Sequence, residues 1–142
     1  MTVSENRKIC SEAIQNGFSN VVKCSSGSSE SENHRLTKFI LANFCWQNNI
    51  QFSTEVTFNN GERCDFLVKD WALAIEILET ETAKKFLKKQ YPIPTMAMVA
   101  AKPSKDAGRV WISIMMQDLA QMEGTNHAYY TKNTFDELKV RL

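Results

Sequence analysis

Three carboxylates stand where a surface role explains them poorly: Glu32, Asp65 and Glu76. Asp65 runs into Phe66-Leu67-Val68, and Glu76 is flanked by Ala74-Ile75 and Ile77-Leu78. An acid in so apolar a run is costly to bury unless it is paired or bound to a cation. Oxygen donors gathered without histidine or cysteine suit a hard ion such as Mg2+ or Mn2+. Such an ion lowers the pKa of a bound water and neutralises charge on a phosphate, which is the chemistry of phosphodiester hydrolysis. Plainer roles compete at each position. Ser29-Glu30-Ser31-Glu32 has the S-x-x-E form of a capping box, in which Glu32 only satisfies a backbone N–H. Asp65 has a nearby ion-pair partner in Arg63.

The elements that must position these acids are readable from pattern. Residues 29–49 carry Leu36, Phe39, Ile40, Asn43 and Phe44 at helical spacing, a mostly apolar stripe with Glu32 one turn before it. Three extended runs follow. Residues 51–58 meet 62–68 across Asn59-Asn60-Gly61, where Asn60-Gly61 favours a two-residue type I′ turn. Lys69-Asp70 then predicts a two-residue turn into 71–78. With that turn, opposed residues have numbers summing to 139, which makes Asp65 and Glu76 diagonal neighbours on one face. A slip of one residue would separate them.

Residues 4–16 read as a helix capped by Ser4 and stopped by Gly17, and 18–24 as a short extended piece. The serine-rich segment 25–28 is a linker. Glu79-Thr80-Glu81-Thr82 opens a helix to about Gln90, with Ala83, Phe86, Leu87 and Gln90 inward and Lys84, Lys85, Lys88 and Lys89 outward, ended by Pro92 and Pro94. Residues 95–101 form a strand covered on both faces, 109–115 another strand, and 133–142 a closing helix. The expected fold class is α/β: one domain with an α-β-β-β-α-β core and a mixed central sheet flanked by helices. Within it, residues 1–28 supply an N-terminal helix and linker, 29–101 the core, and 102–142 a C-terminal extension.

A chain of 142 residues with 43% hydrophobic positions buries a core without staples. No apolar run reaches the roughly 18 residues of a membrane span. The polar opening residues and four cysteines without a C-x-x-C pair point to an intracellular protein with reduced thiols. The isolated glycines exclude a phosphate loop. Trp46, Trp71 and Trp111 read as core, the cysteines as small core residues, and His34 as a packing residue. Charge is uneven. Residues 1–82 have seven bases against eleven acids, whereas 83–109 have seven against one. The basic block is either the solvated face of one helix or a surface for an anionic polymer.

Ser31-Glu32-Asn33-His34-Arg35 opening a helix, Gly61-Glu62-Arg63-Cys64-Asp65 on a strand, Ala74-Ile75-Glu76-Ile77-Leu78 on the next, and a basic helix after it resemble the PD-(D/E)xK nuclease superfamily, with its restriction-endonuclease-like fold. The spacings, 33 residues from Glu32 to Asp65 and 11 to Glu76, look like those of small archaeal-type Holliday junction resolvases. The resemblance implies that Glu32, Asp65 and Glu76 bind Mg2+ or Mn2+, with Asp65 and Glu76 catalytic. It implies an endonuclease acting on DNA, branched or structured DNA above all, through Lys84, Lys85, Lys88 and Lys89, and a homodimer. Two residues depart from the pattern: Cys64 replaces a proline, and Leu78 stands where the catalytic lysine belongs. Lys84 is the expected substitute for that lysine. Leu78 also motivates an alternative, a catalytically silent nuclease-like module that binds nucleic acid or protein.

Overall fold

A computed structural model of the protein describes residues 2–24, 30–78, 83–99, 102–103, 110–117 and 127–130. The side chains of Ala83, Lys84, Leu87 and Val99, and of every residue from 100 onward, lie outside that description, as do the expected closing helix and the segment 79–82. Helix α1 (Val3–Ala13) is capped by Thr2, whose side chain accepts from the Glu5 N–H at 3.1 Å. It begins before the expected Ser4 and ends three residues short of Asn16, because Ile14 turns extended and starts β1 (Ile14–Ser19). The extended segment therefore lies earlier than expected, pairing antiparallel with β2 (Phe52–Phe58). Gly17 is needed there: a Cβ would sit 3.1 Å from Val56 Cγ2.

Strand β2 pairs with β3 (Arg63–Val68) as expected, but through a three-residue loop. Phe58 N–H donates to the Glu62 carbonyl (2.8 Å) and Gly61 N–H to the Phe58 carbonyl (2.9 Å). Only Gly61 in that loop has positive φ (+86°). A type I′ turn needs two such residues, so a single left-handed glycine closes the longer loop instead. The next turn is also longer than expected. Lys69–Trp71 is one turn of 3-10 helix, followed by Ala72 in the left-handed region (φ 48°), before β4 (Leu73–Leu78). Helix α1 holds it there: Arg7 makes two bonds to the Asp70 carboxylate (2.7 and 3.2 Å), and Asn6 donates to the Asp70 carbonyl (2.8 Å). Tertiary contacts thus select the turn, which sequence alone does not announce.

The extra residues move the β3–β4 register by two. Phe66 faces Ile75, Leu67 faces Ala74 and Val68 faces Leu73, so paired numbers sum to 141 rather than 139. An even shift preserves the alternation of faces along β4, with Ile75 and Ile77 in one core and Ala74 and Leu78 in the other. Continued one step, it sets Asp65 directly opposite Glu76 rather than diagonal to it. On the other side of β3 the register brings Asp65 beside Glu55.

Helix α2 (Glu32–Gln47), α3 (Ala83–Lys88) and β5 (Thr95–Val99) complete the order α-β-β-β-α-β. β4 and β5 run parallel, whereas the other strand pairs are antiparallel. The described strands form one mixed α/β sheet in the order β1-β2-β3-β4-β5-β7, with β7 (Val110–Gln117) also pairing with β6 (Lys102–Pro103) and β8 (His127–Tyr130). One core packs Leu41, Ala42, Phe44 and Cys45 of α2 onto Phe52, Phe66, Ile75 and Ile77. A second gathers Cys10, Val56, Cys64, Leu78, Phe86 and Tyr91. Phe52 and Val56 have the same strand parity yet serve different cores. The chain changes faces between them at Glu55, whose φ is +48°. Among the described residues, no helix is long and apolar enough to cross a membrane.

Candidate active site

The three sequence-selected acids do not all converge. Asp65 and Glu76 do, where the β3–β4 ladder gives out. There the Asp65 carboxylate takes the N–H of Ile77 at 2.7 Å, and a side chain replaces a ladder carbonyl. The Asp65 and Glu76 carboxyl groups lie close enough for each to act on the other's ionisation. Burial and the adjacent Asp65 charge push Glu76 up to about 9, against the smaller opposing pulls of Tyr91 and Lys89. Burial also disfavours ionised Asp65, but His34, the Glu76 carboxyl and the Ile77 N–H together outweigh it and hold its pKa below the ordinary value. The pair therefore resists losing its last proton, with Glu76 the member pushed upward, because two adjacent carboxylates cannot both ionise cheaply.

Glu32, by contrast, is exposed in the first turn of α2. The cap of that helix is Ser31, which accepts from the His34 N–H at 3.1 Å; Ser29 of the expected capping box lies outside the described residues. The acid on the inner face is Glu30, 6% exposed. The reason is a rotated stripe. The buried residues of α2 are Thr37, Lys38, Leu41, Ala42, Phe44 and Cys45; Phe44 belongs to the expected stripe, whereas Phe39 is 51% exposed and Asn43 is also exposed. A lysine in the core misleads a stripe drawn through apolar residues. Trp46, expected in the core, is 48% exposed; its indole donates to the Asn20 carbonyl.

On that inner face three polar side chains stand one turn apart. His34 Nδ1 lies 2.9 Å from Glu30 Oε1, and His34 Nε2 lies 3.4 Å from Asp65 Oδ1. Lys38, with no exposed side-chain surface, donates to Glu30 Oε1 (3.1 Å), to the Lys23 carbonyl (3.0 Å) and to Glu55. Burial lowers the pKa of His34 and of Lys38, but the carboxylates on each reverse that, and both stand above their ordinary values. From the opposite side, the buried Tyr91 hydroxyl donates to Glu76 Oε2 at 2.8 Å. Burial and the Glu76 charge raise the phenol, so it remains the donor. The sequence held one usable signal for the missed residues: His34 and Lys38, four apart, share a helix face, with Glu30 just ahead of the cap.

Leu78 is 4% exposed within the second core. Lys85 and Lys88 are exposed on α3, and Lys89 is close enough for its charge to act on Glu76. The Lys84 side chain lies outside the described residues. Cys10, Cys45 and Cys64 are buried, as expected, and burial raises all three thiols.

Among the described residues, no three His, Cys, Asp or Glu side chains are arranged around one ion-sized point. Two adjacent carboxylates sharing a proton nonetheless have the donor chemistry a hard cation takes, with the cation in place of the proton. Comparison of the chain with protein-family models, with curated proteins and with solved structures gave no match.

Proposed function

We propose that the protein is a metal-dependent endonuclease of the PD-(D/E)xK type, hydrolysing phosphodiester bonds in DNA inside the cell. The observation that carries this reading is the Asp65–Glu76 carboxyl pair, on successive strands at the point where they part. The element order α2-β2-β3-β4-α3-β5, with β4 parallel to β5, supports it. Asp65 and Glu76 would hold Mg2+ or Mn2+, which supplies an activated water and neutralises charge on the phosphate. Tyr91 orients the Glu76 carboxyl through one oxygen, and His34 steadies Asp65. The lysines of α3 and Lys89 meet backbone phosphates and carry no sequence information. Branched DNA as substrate and a homodimeric enzyme belong to the same proposal, through the family resemblance.

A second reading is a nuclease-like binding module without catalysis. Its specific support is Leu78, buried where the motif lysine would reach the phosphate.

Cleavage of linear, flapped and four-way DNA with Mg2+, Mn2+ or chelator tests both readings, using identically purified Asp65→Ala and Glu76→Ala proteins as controls. Metal-dependent cutting that both substitutions abolish establishes the enzyme. A folded chain that binds DNA without cutting it, indifferent to metal, establishes the module.

A further inference from the structure

Among the described residues, Lys38 is the only lysine or arginine buried from solvent, and three acceptors from three parts of the chain surround it. An apolar side chain would pack α2 on the sheet without the desolvation a buried ammonium suffers. What Lys38 does that leucine could not is hold two carboxylates at once. Glu30 precedes α2; Glu55 sits at the left-handed point where β2 changes faces, a conformation that strains a non-glycine residue unless its surroundings fix it. Glu30, held by Lys38, is also the partner of His34 Nδ1, and the other face of that ring meets Asp65. Glu30, His34 and Lys38 thus link the buried ammonium to the carboxylate pair.

We infer that Lys38 is a positioning residue for the Asp65–Glu76 site: acting through Glu30, it fixes the His34 ring that steadies Asp65. The inference rests on Asp65 and Glu76 being a cation site, and its test keeps the two apart. An imidazole ring between two carboxylates has a fixed orientation and a protected ring N–H, whereas a ring without its outer partner has neither. Removing such outer partners typically weakens metal binding about 10–100-fold.

The experiment uses the full chain and Mn2+ as probe, with affinity read by electron paramagnetic resonance. The ring N–H of His34 is read by 15N NMR, assigned with a His127→Gln protein. Lys38→Met keeps the length of the side chain and removes its charge. It is expected to lose the protected His34 N–H and to bind Mn2+ about 10–100-fold more weakly. Leu41→Ala, which removes packing from the same helix face, is expected to lower the melting temperature and leave both readings unchanged. Folded Lys38→Met with the wild-type His34 signal and Mn2+ affinity overturns the inference, as does a wild-type His34 with no protected ring N–H. If Lys38→Met does not fold, Glu30→Gln carries the test, with the same two losses expected and unchanged values overturning it. Wild-type protein that binds no Mn2+ overturns the cation site itself. That outcome differs from a positioning failure, in which wild type and Lys38→Met bind Mn2+ alike.

Discussion

The two ends of the β3–β4 hairpin both bury acids, and they do so differently. At the turn, Asp70 meets one base, Arg7, in a bidentate pair, and its carbonyl is taken by Asn6. The pair docks α1 and fixes the turn, with the Lys69 charge beside it. At the open end, Glu30, Glu55, Asp65 and Glu76 face Lys38 and His34, with Arg63 at the margin, 3.8 Å from Glu55. Two of these acids, Asp65 and Glu76, also act on each other's ionisation. Folding alone accounts for the first cluster. The second sets two carboxyl groups against each other, an arrangement the proposed cation site would use.

The sharpest way to break this contrast is at the acid pair. Asp65→Asn is expected to reduce metal-dependent DNA cleavage to background while leaving DNA affinity intact, measured by cleavage and by binding in chelator. Next in size is Lys38→Met, which removes the buried ammonium held between Glu30 and Glu55. It is expected to destabilise the fold by about 3–5 kcal/mol in urea melts.

The third expected effect is a pH dependence that only the open end produces. Glu76 keeps its proton in the folded chain up to about 9, whereas an unfolded glutamate loses it near its ordinary value. Between the two the folded state binds the extra proton, so stability falls as pH rises through that window. His34, also raised, loses its contribution in the same direction. The melting temperature without metal should therefore drop from about pH 5 to about pH 9, and Glu76→Gln should flatten the curve. A profile with the opposite slope would show that the proton does not reside on Glu76. Smallest is Arg7→Ala, which should lower the melting temperature less than Lys38→Met does and leave Mn2+ affinity and the His34 signal untouched. A change in either would mean the two ends are coupled.

The sheet was legible where pattern and packing agree. Asp65 and Glu76 betrayed themselves as acids in apolar strands, and the alternation of strand faces placed them together even though the turn was misjudged by two residues. The turn was not legible because its shape comes from α1, sixty residues away in sequence. The helix acid was misassigned for a related reason. Hydropathy puts Phe39 inside, but the structure exposes it and buries Lys38, because two carboxylates and a carbonyl make the lysine burial tolerable. Glu55 was invisible for a third reason: nothing in Thr54-Glu55-Val56 announces a left-handed residue inside a strand.

The Ile77 N–H bonded to Asp65 gives the molecule a built-in reporter. Most strand amides are shielded from solvent by a carbonyl, which answers only to unfolding. This one is shielded by a carboxylate whose other commitments would change if a cation bound the pair. Hydrogen–deuterium exchange at that single amide, followed against its neighbours on β4, would read the state of the acid pair without substrate, label or substitution.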